Sequence, residues 1–386
     1  MGAELSFFSV DNGDMTLLVT DSGKRILIDC NIRDVTGDDP PPDVLKQLKE
    51  RLLNDSDGRY YVDAFLLSHP DLDHCRGFAA NFYCGKPDDF PKKSEKIFIR
   101  ELWSSPMIFR RKERHETLSD DAKAFNKEAR RRVQRFRDAH GAVSNGDRIL
   151  ILGEDQDNKQ DGLEAIVVKA GHRFQTVCGE WQSNFSAFLL APASKGTEEE
   201  EELRSKNNSS VILQMKIGSG INLDACRFLC GGDAGYAIWE RLWDKYKDNT
   251  DVLKYDVLLT PHHCSWHSLS ADSISDLGDD AKVSDDARSA LSQGRDNARL
   301  VASCKPIKDD DDDPPSYRAK EEYDNIRSGF KGRFYQTSSY REPPFELEIG
   351  SAGSVPKSAT VTAPTKAATT AVGGSVLSHG SVLAHG

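Results

Sequence analysis

The chain has 386 residues, 38% hydrophobic and 29% charged, enough for one large α/β domain or two smaller ones with an ample core. No run approaches eighteen consecutive apolar residues, which excludes a spanning helix, and the opening residues lack the regions of a secretory signal. The eight cysteines are therefore expected as reduced thiols in a cytoplasmic protein, and the formal net charge of −11 owes much to two acidic runs, 198–202 and 309–313, that read as solvated loops.

In chain order, apolar runs at 5–10, 15–20 and 24–30 are separated by the turns Asp11-Asn12-Gly13-Asp14 and Asp21-Ser22-Gly23-Lys24, predicting a hairpin-rich opening. Val44, Leu45, Leu48 and Leu52 recur at helical spacing and predict a helix over 43–53. The unbroken run 62–67 predicts a strand buried on both faces, ending at Ser68-His69. From 110 to 140 the composition turns basic, with a helix predicted over 122–136. Two readings stand for it: a solvated surface helix, or a cationic wall that recruits an anionic substrate.

Further strands are predicted at 148–152, 163–168, 185–190, 210–216, 227–230, 257–260 and 300–303, and helices at 238–246 and 317–326. Cys226 and Cys230 flank a strand-like run and read as buried small apolar residues. Strand-rich halves with helices between them predict stacked sheets covered by helices. Beyond 350 the Ala, Thr, Ser, Gly and Val composition predicts a flexible tail. The resulting plan is one domain over 1–349, with a basic helical insertion at 105–142, and a low-complexity tail over 350–386.

Three segments carry the chemistry. Ser68-His69-Pro70-Asp71-Leu72-Asp73-His74 packs four ligand-type side chains into six positions directly after a buried strand. Imidazole with carboxylate suits divalent transition metals, whereas a helix cap at Asp73 requires neither two histidines nor two carboxylates. Arg227 to Asp233 runs an apolar strand into Gly231-Gly232-Asp233, and the two oxygens of Asp233 suit it to bridge two cations. Asp256 to Ser268 runs a third strand into His262-His263, with Ser265 and His267 close behind.

Together these segments resemble the metallo-β-lactamase superfamily, whose usual core motif is HxHxDH. The closer likeness is to the hydrolase domain of the competence-type DNA-uptake proteins (the ComEC group). Matching features occur in order: Asp29 at an early strand end, His69 to His74, Asn208-Ser209-Ser210, Gly232-Asp233, Pro261-His262-His263 with Ser265 and Ser268, and Val301-Ala302-Ser303. The resemblance implies a four-layer αββα sandwich of two mixed β-sheets with metals at one edge. This sequence departs from the pattern at Asp71, which replaces the second histidine of HxHxDH, and at Cys264, which takes the glycine position of PHHGS; Cys75 follows the core motif directly. Carboxylate for imidazole makes manganese or magnesium credible beside zinc. No histidine clearly fills the middle ligand position, for which His172 and the stretch around Asn208 are the candidates.

The expectation is therefore a metallohydrolase with two divalent metal ions, zinc or manganese, and a metal-bridged hydroxide. His69 and Asp71 would serve one metal, and Asp73, His74 and one of His262 and His263 the other, with Asp233 between them. Asp73 and His263 count among the catalytic residues, and the spare histidine with Ser265 or His267 would contact the scissile group or protonate the leaving oxygen. The expected substrate is nucleic acid or another phosphodiester. The alternatives are hydrolysis of a lactone, thioester, phosphocholine or cyclic nucleotide, and a degenerate site kept as a binding module. The tail over 350–386 is a candidate docking segment for a protein partner.

Overall fold

The structure, a computed structural model, describes residues 2–109, 118–154, 159–192 and 209–357. Asn208, the acidic run 198–202, the basic residues 110–117 and all but the first residues of the expected tail lie outside the described residues.

The opening meander forms as its alternation requires. Strands β1 (Ala3–Phe7), β2 (Thr16–Val19) and β3 (Arg25–Ile28) pair antiparallel in sequence, and Ala3, Leu5 and Phe7 alternate onto one buried face. Helix α1 (Val44–Lys49), capped by the Asp43 side chain, leads to β4 (Tyr60–Leu67), which lies parallel to β3. After the short helix α2 (Leu72–Cys75) come β5 (Phe98–Ser104), helix α3 (Asp120–Asp138) and β6 (Arg148–Leu152), with β4, β5 and β6 parallel.

A second sheet begins with β7 (Phe185–Ala191), β8 (Ile212–Ser219) and β9 (Asn222–Cys230), all antiparallel. It turns parallel through β10 (Tyr255–Leu259), β11 (Gly294–Ala302) and β12 (Arg333–Gln336). Helices α4 (Tyr236–Tyr246), α5 (Asp285–Leu291) and α6 (Tyr317–Ser328) connect these strands. The chain then returns to the first sheet, where β13 (Phe345–Gly350) pairs with β1 and β14 (Gly353–Pro356) forms the edge. Among the described residues the two large sheets hold ten and seven strands, and both are mixed.

Three apolar layers follow. Leu5, Ala64 and Leu66 of the first sheet meet Met215, Phe228 and Val257 of the second. On the first sheet's outer face, Phe65 makes tilted or edge-on contacts with Phe78, Phe82 and Phe125 of the covering layer; full burial of such a ring contributes about 2–3 kcal/mol. On the second sheet's outer face, Leu229, Leu258 and Leu300 lie under Trp239, Leu291 and Tyr323. The molecule is a mixed α/β sandwich with helices on both outer faces. Among the described residues no helix is long and apolar enough to cross a membrane.

Several local expectations need correction. The strand expected over 163–168 shrinks to Val167–Val168, because Glu164 folds back to accept from Gly162 N at 3.0 Å and a 3-10 turn occupies Glu164–Ile166. Strand β5 has no apolar run to announce it, since Arg100 and Glu101 interrupt it. Both charges are satisfied inside the fold: Arg100 donates to Asp63 and lies over Tyr61, and Glu101 accepts from Trp103 Nε1 and Cys178 N. Helix α3 is amphipathic and buries Phe125, Ala129 and Val133. Two of its cations are engaged inside the fold, Arg131 with Glu128 and Asp147 and the buried Arg132 with Glu128, while Lys123, Lys127, Arg130, Arg135 and Arg137 are exposed.

Candidate metal centre

Parallel strands place the residues that follow them at one end of a sheet, where ligands of α/β folds gather. Here both sheets present that end together. Strand β3 runs into Asp29, β4 into Ser68-His69 and then α2 with Asp73 and His74, β9 into Gly232-Asp233, and β10 into His262-His263. The backbone bond from Asp14 N to Asp73 O (3.3 Å) draws the turn before β2 into the same place.

Asp233 is the hub. Its Oδ2 lies 3.4 Å from His69 Nε2 and 3.7 Å from His262 Nε2. Its Oδ1 lies 3.1 Å from His74 Nε2 and 3.4 Å from His263 Nε2. The two carboxylate oxygens thus face different pairs of imidazoles. Asp71 joins the first pair, 3.6 Å from His69 Nε2, and Asp73 joins the second, 3.4 Å from His263 Nε2. His74 and His263 bring their Nε2 atoms within 3.3 Å of each other.

A supporting ring of bonds aims these side chains. Asp29, fully buried, accepts from Ser68 N (2.7 Å) and Ser68 Oγ (2.6 Å) and lies 2.8 Å from His74 Nδ1. A carboxylate on Nδ1 turns Nε2 of His74 toward Asp233, the usual arrangement behind a metal-binding histidine. Ser68 Oγ also lies 3.1 Å from His69 Nδ1. Behind His263, Gly13 N stands 3.2 Å and Asp14 Oδ1 3.6 Å from Nδ1. Gly13 (φ +137°) admits no side chain, since a Cβ there would meet Asn31 Nδ2 at 2.3 Å and Asp73 O at 2.6 Å. His262, His263 and Cys264 all take left-handed backbone, with φ of 49°, 53° and 67°, a conformation that costs a non-glycine residue about 1–2 kcal/mol. Three in succession at a strand end indicate a loop held in place by its surroundings.

The electrostatics follow from this crowding. Burial alone would lower the imidazole pKa values, but Asp233 with Asp29 at His74, and Asp233 with Asp14 at His263, hold both well above the ordinary value. Burial would raise Asp73 and Asp233, yet the neighbouring imidazoles hold both carboxyls below the usual range. His262, which is less enclosed by carboxylates, is lowered by burial.

The residues fit a divalent cation. Asp14, His74, Asp233 and His263 are all buried and offer one ligand atom each within 4.8 Å of one another, so this group could hold a metal ion. His69 Nε2, Asp233 Oδ1 and Asp14 Oδ1 are buried with no aligned hydrogen-bond partner despite the short distances around them. Orphaned buried polar atoms cost about 1–3 kcal/mol each, and close approach without alignment is what ligands converging on a common point produce. Donors about 2.1 Å from a tetrahedral cation lie about 3.4 Å apart, close to the spacings around Asp233.

Other expected residues fall outside this group. His267 has an exposed ring, 4.0 Å from Asp313 Oδ2. Ser265 is buried, and its Oγ accepts from His267 N as a cap of the next turn. His172 is exposed beside the edge strand Arg173–Phe174. Cys75 and Cys264 are buried in the two outer apolar layers, and burial pushes the Cys75 thiol up to about 12. The sequence reading missed Asp14, whose only signal is its place in a four-residue turn that also reads as an ordinary hairpin connection. It placed Asp29 at a strand end without its role as partner of His74. No family model and no curated protein matches this chain.

Proposed function

We propose that this chain is a metal-dependent phosphodiesterase of the metallo-β-lactamase fold, similar to the competence-type hydrolase domain. The observation that carries the reading is the hub geometry of Asp233, with Oδ2 toward His69 and His262 and Oδ1 toward His74 and His263. His69, Asp71 and His262 would hold one cation; Asp73, His74 and His263 would hold a second, with Asp233 shared. The histidine nearer Asp73 and His74 is His263, so His262 serves the other side. Bound cations supply Lewis acidity, lowering the pKa of water at the site and neutralising charge that develops on a phosphoryl oxygen.

The protein's own contribution is preorganisation. Asp29 and Ser68 fix the rings of His74 and His69 with their Nε2 atoms turned toward Asp233, and Asp14 with the Gly13 N–H, which donates to Nδ1, fixes the position of the His263 ring. The strained 262–264 segment seats the paired histidines on opposite sides of Asp233. His267, exposed, 4.0 Å from Asp313 and on the same loop as His262 and His263, would deliver a proton to the leaving oxygen.

Cleavage of a bis-aryl phosphodiester, single-stranded DNA and RNA with added manganese or zinc tests the proposal. Turnover abolished in folded Asp73→Ala and His74→Ala variants is the expected result. Inactivity on all three substrates, with turnover of a lactone or thioester, would reject the phosphodiesterase reading. Failure to bind either metal would return the site to a binding module.

A further inference from the structure

The loop that carries the acidic run 309–313 reads from sequence as a solvated connection, yet the fold stitches it to two of the loops that supply the centre, the 11–14 turn and the 262–268 segment. Asn12 Nδ2 donates to Pro314 O (2.7 Å), and Asn12 Oδ1 accepts from Lys305 N (3.1 Å); the next residue, Gly13, stands behind His263. On the other side, Asp313 Oδ1 accepts from Trp266 N (3.2 Å), and Ser316 N donates to Cys264 O (3.0 Å), two residues from His262. The loop is thereby fixed beside the site, and its outer part bounds a concavity of about 140 Å³ lined by Asp11, Lys305, Lys308, Asp310 and Asp312.

The charge on that wall is lopsided. Asp309 to Asp312 are exposed, and Asp11 adds a further carboxylate already bonded to Arg33 at 2.6 Å. Within the concavity Lys305 and Lys308 face Asp11, Asp310 and Asp312, and over the loop as a whole five carboxylates, 309–313, stand against those two lysines. The sequence's obvious counterweight, the basic helix α3, presents its acidic first turn toward the centre, where Asp121 accepts from Gly77 N and Ala79 N, while Arg131 and Arg132 bond to Gly146 O and Arg148 O beside the first residues of β6, the end of the sheet opposite the centre. A chain of phosphates approaching the centre would therefore meet carboxylates that are held in place, and like charges brought together disfavour the wrong partner.

We infer that the loop 305–315 is the substrate-selecting wall of this centre, excluding polyanionic chains and admitting a small phosphodiester with a neutral or cationic leaving group. This rests on the hydrolytic reading above for its chemistry, though not for its electrostatics. A fluorescein-labelled single-stranded oligonucleotide, in phosphodiester and in uncharged methylphosphonate form, is the probe, titrated at low salt with chelator present. The triple variant Asp309→Asn, Asp310→Asn, Asp312→Asn should bind the phosphodiester form at least about fivefold more tightly than the parent, with no change for the methylphosphonate form and a gap that closes as salt rises. The control is Asp88→Asn, Asp89→Asn, Asp248→Asn, an equal change of charge at exposed positions remote from the centre; it should move affinity less than about twofold. Equal tightening in both triple variants, or none in the loop variant, overturns the inference. Manganese-dependent turnover of a bis-aryl phosphodiester by the loop variant is read in parallel. If the parent turns over neither this substrate, nor DNA or RNA, nor a lactone or thioester, the hydrolytic reading fails, while the binding comparison still decides the role of the loop.

Discussion

Replacing Asp29 by asparagine exchanges one carboxylate oxygen for an NH2 group in a fully buried position and tests the logic of the centre. The carboxylate serves Ser68 N, Ser68 Oγ and His74 Nδ1 at 2.7, 2.6 and 2.8 Å. Asparagine retains one acceptor, enough for Ser68 N, but presents an NH2 group in place of the second oxygen. Toward His74 that group donates where it formerly accepted, so the neutral imidazole must carry its proton on Nε2 and withdraw the lone pair aimed at Asp233. Loss of a partner of this kind lowers metal affinity by about 10–100-fold, or about 1.4–2.7 kcal/mol. Folding stability should fall by about 1.5–3 kcal/mol, the worth of a hydrogen bond to a charged group. Competition titration of zinc and manganese against a chelating dye reads the first quantity, and urea unfolding followed by circular dichroism reads the second. A folded variant that binds both metals within twofold of the parent would refute the assignment of Asp29 as the group that orients His74.

Three further outcomes follow from the same geometry. Asp233→Ala removes the shared carboxylate and should abolish binding of both metals in equilibrium dialysis, and it leaves His74 and His263 facing each other at 3.3 Å. Gly13→Ala forces a Cβ against Asn31 and Asp73 and should cost about 1–3 kcal/mol, measured as a lower urea midpoint, with weakened metal binding because Asp73 and His263 are displaced together. At Asp55, burial would raise the carboxyl, but hydrogen bonds from Arg59 N and the Arg59 side chain hold it below its usual value. A depressed carboxyl stabilises the fold above its unfolded pKa of about 3.9, and that contribution is lost as pH falls through the folded value. Asp55→Asn should therefore lower stability by about 1 kcal/mol near neutrality, and the gap should narrow below about pH 4 in urea unfolding; a gap that widens in acid would reverse the sign argued here.

Much of the centre is visible before folding because its ligands are dense and local. His69, Asp71, Asp73 and His74 share one strand end, Asp233 follows two glycines at another, and His262 and His263 are adjacent. Such clusters have no use in an apolar core, so composition alone marks them. Asp14 carries no such mark, since one carboxylate in a turn is ordinary; it joins the centre only because Asp14 N bonds to Asp73 O. The division of labour between His262 and His263 is equally invisible in sequence, because left-handed backbone at both positions turns their rings to different oxygens of Asp233.

Period and pattern determined the strands whose faces are uniformly apolar, together with the strand-end positions of the ligand-type residues. Strand β5 escaped the pattern because the partners that neutralise Arg100 and Glu101, namely Asp63, Trp103 and Cys178, are supplied by other segments or by the strand's own pleat. Tertiary structure alone decided that strand ends from two sheets point the same way, that α3 commits Arg131 and Arg132 to Glu128 and Asp147, and that the acidic run 309–313 is tied beside the histidine loop. Each of these depends on which distant groups become neighbours. Hydrophobic period reports only whether a residue faces inward, and charge counts report no positions at all.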